Sequence, residues 1–284
     1  MKTVGTDYLV YDVFTDRRFG GNQLAVFPDA TGLAEADLQK IAREFNYSET
    51  TFVFPPSDPA HTAKVRIFTP TMEVPFAGHP TIGTAVALAR AGHGPDMVLE
   101  LGVGPIRAHA TDTRARFTTS APLDILAAPD PALVARALSR PLSDIVQTNH
   151  PPTMATLGLP FTLTEIRTRA DLAACTPDIA AFREGAAAYP GGTDFAQFVY
   201  WRGPDVIHAR MFAPLDDIPE DPATGSASAT LAALLAGLAK EDLSLTILQG
   251  EDMGRPSRIE LSTEKQAVTV SGAACPVMEG RLLV

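Results

Sequence analysis

Three ionisable side chains stand in short polar stretches of the chain: Glu49 in NYSETTF, His79 in FAGHPT and Asp221 in EDPATGS. A carboxylate drawn into an apolar cleft loses solvation, which favours its protonated form and suits it to general acid–base work. An imidazole titrates near neutrality and is a natural proton carrier. His79 and Asp221 each precede an alanine-rich apolar run, TIGTAVALA and SASATLAALLA. A helix starting there would offer unpaired N–H groups and the positive end of its dipole to an anion. Gly83 and Gly225 lack a Cβ and allow close approach of backbone to a ligand, and Gly78 removes bulk before His79. Ser226 adds a hydroxyl at the second helix start, and Ser48 lies beside Glu49. These residue types in this order suit proton transfer on a small anion.

Each residue also has a purely structural reading. Asp221 or Thr224 can cap one helix and Thr81 the other, and Glu49 can be solvated or cap local backbone. On residue types alone Glu49 stays open between those readings. His61, His93, His109, His150 and His208 sit in less constrained contexts and are read as structural or solvated. No GxxxxGK[ST] or GxGxxG loop is present, nor HExxH, CxxC or GxSxG. The chain therefore offers no pattern for nucleotide or metal binding or for a serine nucleophile.

The elements that must position these residues are short. YLVYDVF, LAVFP, TTFVFPP, AKVRIFTP, PFTLTEIRT, DFAQFVYW and DVIHARMFAP read as strands, and ADLQKIAREF as an amphipathic helix. Thr81–Gly92 reads as a buried helix closed by glycine. The unit starting at Val65, VRIFTPTMEVPFAGHPTIGTAVALA, resembles the one starting at Ala209, ARMFAPLDDIPEDPATGSASATLAALLA. Arg66 matches Arg210 and Pro75 matches Pro219. After a two-residue gap Pro80 matches Pro222 and Gly83 matches Gly225. One strand–loop–helix unit thus occurs once in each half, and two facing helix mouths would grip a small carboxylate, with Asp221 opposite His79.

Composition narrows the class. The 284 residues are 45% hydrophobic and 20% charged, as in a globular chain with a sizeable core, so one large or two medium domains are expected. A net charge of −10 without any basic run makes nucleic acid and anionic membrane poor partners. Cys175 and Cys275 supply neither a disulfide framework nor a four-ligand zinc site. MKTVGTDYLVYDVF lacks the features of a signal peptide, and the longest apolar stretch is too short to span a bilayer. The expected location is the cytoplasm.

YDVFTDRRFGGNQLAVF, IAREFNYSETTFV, VRIFTPTMEVPFAGHPTIGTA, DPATGSASA and the closing SG–PVMEGRLLV together resemble the phenazine-biosynthesis isomerase (PhzF-like) family. The resemblance implies an α+β, diaminopimelate-epimerase-like fold: two pseudo-symmetric domains, each a curled mixed sheet around a central apolar helix. Residues 1–120, joined by a C-terminal strand 272–284, would form one domain and 121–271 the other, with the site between them and a homodimer as the common assembly. It further implies a cofactor-independent isomerase acting on a small, cyclic, unsaturated carboxylic acid. Carried over by motif, Glu49 is the acid–base group, and His79 and Asp221 assist proton movement. Gly78, Gly225 and Ser226 bind the carboxylate, with Ser48 beside Glu49.

Racemases on this fold use paired cysteines at the two loops. Neither AGHPT nor DPATGSA contains one, which disfavours a two-thiol mechanism. An epimerase working without thiols and a non-catalytic carboxylate-binding protein are the alternative readings. Gln23 stands where the family commonly has proline, a change expected to alter a turn and not the chemistry.

Overall fold

The computed structural model describes residues 5–192 and 194–283. The chain runs β1 (Gly5–Val13), β2 (Asn22–Phe27), α1 (Glu35–Phe45), β3 (Glu49–Phe54), β4 (Ala63–Phe68) and β5 (Glu73–Val74). It continues through α2 (Gly78–Arg90), β6 (Asp96–Leu101), β7 (Gly104–Ala110) and β8 (Arg114–Thr119). Next come β9 (Asp124–Ala127), α3 (Pro131–Ala137), β10 (Thr153–Thr156), β11 (Pro160–Glu165), α4 (Arg169–Ala173) and α5 (Ile179–Ala188). The remainder is β12 (Gln197–Arg202), β13 (Ile207–Ala213), β14 (Ile218–Asp221), α6 (Gly225–Ala239), β15 (Ser244–Gln249), β16 (Ser257–Glu264) and β17 (Ala267–Leu283). Two compact units result, Met1–Thr119 with Thr269–Val284, and Ser120–Val268.

In the first unit the strands close on themselves. β1 pairs antiparallel with β2, β2 parallel with β3, β3 antiparallel with β4, and β4 parallel with β6. β6, β7 and β8 follow antiparallel. β17 pairs with β8 and runs antiparallel to β1, from Gly5↔Leu283 to Val13↔Ala274, which completes an eight-stranded mixed barrel. The barrel encloses α2, which touches β1, β2, β3, β7 and β8. Every α2 residue from Gly78 to Leu88 is buried, as expected of a helix apolar all round. Gly83 permits the close fit: a Cβ there would stand 2.5 Å from Leu24 Cδ2 and 2.7 Å from Val13 Cγ2. Outside the barrel, α1 lays Leu38, Ile41 and Ala42 over Phe27, Phe52 and Phe68.

The second unit repeats this wiring. β10 pairs antiparallel with β11, β11 parallel with β12, β12 antiparallel with β13, β13 parallel with β15, and β15 antiparallel with β16. The sequence of pairings is that of β1 to β7. Short β5 joins β4, and short β14 joins β13, in the same antiparallel sense. α6 packs on β10, β11 and β16 with ten of its residues buried. A separate core beneath α3, α4 and α5 gathers Leu133, Phe182, Phe195, Val199 and Phe212 on the other side of the strands.

Candidate active site

Glu49 opens β3, in register with Leu24 of β2. Strand alternation puts Glu49 on the same face as Thr51, whose hydroxyl lies 2.9 Å from that of Thr84 on α2. Glu49 therefore points to the helix side of the barrel wall. There it meets His79: Glu49 Oε2 is 3.2 Å from His79 Nδ1. His79 is only 3% exposed. Its Nδ1 is also hydrogen-bonded to the side-chain amide of Asn22, at 3.4 Å, and its Nε2 lies 3.2 Å from the carbonyl oxygen of Gln23. Burial pushes the imidazole down to about 3, against the opposing pull of the Gln23 carbonyl. At neutral pH the ring next to Glu49 is uncharged. Ser48 is half-buried immediately before Glu49.

Sequence reasoning missed Asn22. The available signal was an amide between a glycine pair and an apolar strand, since a buried amide needs fixed partners. Gly21 before it has φ +61°, and a Cβ there would stand 2.3 Å from the carbonyl of Val13. Gln23 contributes its carbonyl, an atom that every residue type supplies.

In the second unit, Asp221 ends β14 and is buried. Thr224 donates its hydroxyl to Asp221 Oδ2 at 2.5 Å and its amide to Gln249 Oε1 at 3.0 Å. Gln249 donates in turn to the Asp221 carbonyl at 2.8 Å and to Thr224 Oγ1 at 2.9 Å. Ser257 Oγ donates to the Pro222 carbonyl at 2.8 Å. Gln249 is thus a second residue that sequence reasoning overlooked, and it ties the DPAT turn to β15. Gly225 is the buried first residue of α6 and Ser226, partly exposed, the second.

The alternative reading of the two helix starts as side-chain caps by Thr81 and Thr224 does not hold in the structure. Neither Ala77 before α2 nor Thr224 before α6 makes a side-chain cap. The Thr224 hydroxyl is engaged by Asp221. α2 begins at Gly78, three residues earlier than its periodicity predicts, so Thr81 already lies within the first turn. Its hydroxyl donates back to the Ala77 carbonyl at 2.8 Å. Pro80 is tolerated in that turn because its missing N–H falls where no intrahelical bond is needed.

The register between the two units is corrected as well. Arg66 on β4 grips Glu73 on β5 through Nε and Nη2, at 2.8 and 2.6 Å, with its guanidinium 5.1 Å from the centre of the Phe68 ring. Arg210 on β13 grips Glu220 on β14 at 2.7 Å through both nitrogens, 4.8 Å from the Phe212 ring. Glu73 therefore corresponds to Glu220, Pro75 to Pro222 and Gly78 to Gly225. The sequence match of Pro75 with Pro219 and Gly83 with Gly225 slipped because the second unit has three extra residues before Glu220. They are absorbed in a 3₁₀ turn at Pro214–Asp216. In the corrected register His79 corresponds to Ser226, and Asp221 to Val74.

Other groups stand apart from these clusters. Cys175 is buried in the core beneath the outer helices, where burial pushes its thiol up to about 12. Cys275 sits on β17 opposite Asp12. A cavity of about 480 Å³ lies at the C-terminal end of α6, bordered by Gly237, Lys240, Asp242 and Lys265. α6 has 15 residues, so that cavity is roughly 20 Å along the helix from Gly225. Among the described residues, no three His, Cys, Asp or Glu side chains group as metal ligands, and no helix is long and apolar enough to cross a membrane.

Comparison with known proteins gives one consistent result. Residues 11–280 match the family described as phenazine biosynthesis-like protein, PhzC-PhzF. An uncharacterized isomerase of Mesorhizobium japonicum is 38% identical, with 98% of this chain and 99% of the other covered. The trans-2,3-dihydro-3-hydroxyanthranilate isomerase of Pseudomonas aeruginosa is 34% identical over 96% of this chain and 98% of its own. A Bacillus anthracis crystal structure of the PhzF family superposes with a TM-score of 0.85 at 21% identity, covering 99% of this chain and all of that one. With a barrel-like mixed sheet and a match over nearly its whole length, the chain belongs to the phenazine biosynthesis-like family, of which the Mesorhizobium and Pseudomonas relatives are named isomerases.

Proposed function

We propose that the protein is a cofactor-independent isomerase that moves a proton on a small, cyclic, unsaturated carboxylic acid, with Glu49 as general acid and base. Isomerase chemistry comes with the family. The observation that carries the role of Glu49 is its approach to within 3.2 Å of a buried, uncharged imidazole at the first turn of α2. A carboxylate with a neutral neighbour exchanges a proton without first breaking a strong ion pair. His79 and Asp221 assist at the reacting centre. Gly78, Gly225 and Ser226 hold the substrate carboxylate, because amides and a hydroxyl at a helix start favour an anion, and Ser48 supports Glu49.

Trans-2,3-dihydro-3-hydroxyanthranilate, the substrate named for the Pseudomonas relative, and related cyclic dienyl carboxylates are the compounds to test. Incubated in deuterated water, the wild type incorporates deuterium into the product. Glu49→Gln loses about 10²- to 10⁴-fold in rate, the usual contribution of a positioned proton-transfer group. Equal deuterium incorporation by wild type and variant rules out this role for Glu49.

A further inference from the structure

His79 is the one histidine placed beside Glu49, and an imidazole at that position is ordinarily taken for a proton relay. Its hydrogen bonds argue otherwise. The Gln23 carbonyl oxygen only accepts, so the nitrogen that faces it, Nε2 at 3.2 Å, carries a hydrogen. A neutral ring has one such hydrogen, and Nδ1 is then a lone pair. The Asn22 side-chain amide donates to that lone pair at 3.4 Å, and Glu49 Oε2 stands 3.2 Å from the same nitrogen, so the amide holds the site that a proton from Glu49 would otherwise take. Asn22 is itself 1% exposed and stands next to Gln23 at the start of β2, so one strand end fixes both ring nitrogens.

We infer that Asn22 is a positioning residue that, with the Gln23 carbonyl, locks His79 in the Nε2–H tautomer and keeps it from taking the proton that Glu49 handles. The inference rests on the proton-transfer reading of Glu49. During turnover Glu49 takes a proton from one substrate carbon and returns one to another, and His79 neither gains nor loses any. Its part is that of a fixed dipole: an occupied Nδ1 beside the carboxylate, and a second nitrogen anchored to backbone.

The test uses the whole protein with ¹⁵N-labelled histidine, the His79 signals being assigned by their absence in His79→Gln. In the wild type, NMR is expected to show Nδ1 as a pyridine-type nitrogen and Nε2 as a pyrrole-type nitrogen. Asn22→Asp replaces the donor with an acceptor of nearly the same shape. It should draw a proton onto Nδ1 and lower kcat by about 10²-fold, the lower end for a disturbed proton-transfer site, with KM changed far less. Asn22→Leu should leave a mixture of tautomers. A wild-type ring protonated at Nδ1 overturns the inference, and this observation requires no Asn22 variant to fold. An Asn22→Asp enzyme with Nδ1 still unprotonated and wild-type kcat overturns it too. Should the expected tautomer appear while Glu49→Gln exchanges deuterium normally, the lock stands and the functional reading of Glu49 falls.

Discussion

Arg66 and Arg210 occupy matching strands, lie over matching phenylalanines and hold matching glutamates, yet the segments that follow them differ in chemistry. In the first unit the strand after the clamp leads through Val74 to His79, held by Asn22 and the Gln23 carbonyl. In the second it leads through Asp221 to Ser226, with Thr224 and Gln249 locking the turn. The scaffold is duplicated, and the groups it presents are not. The two arginines also end differently. Arg66 sends its third contact to Glu35, which is 75% exposed, whereas Arg210 donates to the carbonyls of Leu172, Ala173 and Cys175. A clamp therefore serves the same orienting purpose whether it stands near the surface or is built into the interior.

The sharpest way to probe this asymmetry is to make the first unit resemble the second. His79→Ser removes the ring that Glu49 faces and should lower the isomerisation rate by about 10²-fold, the lower end for a disturbed proton-transfer site. Ser226→Ala, which removes the hydroxyl proposed to hold the substrate carboxylate, should cost no more than about tenfold. Steady-state kinetics on one substrate compares them, and equal losses would mean that the two helix starts contribute alike.

Stability should separate the clamps next. Arg210→Ala strands Glu220 and three carbonyls at a site where the arginine is only 10% exposed, and should cost about 3–5 kcal/mol. Arg66→Ala has partly exposed partners and should cost about 1 kcal/mol. Urea midpoints at constant m-value measure both, and a reversed order would break the comparison.

His79 adds a pH dependence that Ser226 cannot. The folded imidazole stays neutral down to about 3, while in the unfolded chain it binds a proton below about 6.5. Between those values the unfolded state holds more protons, so stability rises with pH. Acidification through this window should cost up to about 1.4 kcal/mol per pH unit. Glu49 lies within 3.2 Å, so the comparison is made against His79→Gln, which keeps that neighbour. That variant should show the shallower loss of urea midpoint on acidification, and parallel curves would refute the buried neutral histidine.

The smallest effects concern one glycine in each central helix. Gly83→Ala drives a methyl into Leu24 and Val13 and should destabilise by about 1–3 kcal/mol. Gly237→Ala meets nothing within 4 Å and should stabilise by up to about 1 kcal/mol through helix propensity. Thermal melts distinguish the two, and the same sign for both would contradict the packing described for α2.

Much of this was legible before any coordinates. The alanine-rich runs predict buried helices because no face of them is polar, and α2 and α6 are those helices. The duplicated strand–loop–helix unit shows in the sequence because arginine, phenylalanine and proline recur in order. Its register did not show, since a three-residue turn displaces Glu220 and a neighbouring proline imitates the match. The pairings of Asn22 and Gln249 were hidden for another reason: their partners lie 57 and 25–28 residues away, and no local pattern marks such a pair.

The sequence by itself determined the residue types available for chemistry, the strand and helix periodicities and the membership of the family. Those properties are carried by a few neighbouring residues and by the order of motifs. Only the tertiary structure decided the register in which β17 meets β1 and that α2 begins at Gly78. It alone decided that His79 meets Glu49 as an uncharged ring with both nitrogens engaged. Hydrogen-bond partners and protonation follow from burial and from atoms that remote segments bring within about 3 Å, and neither exists until the chain has folded.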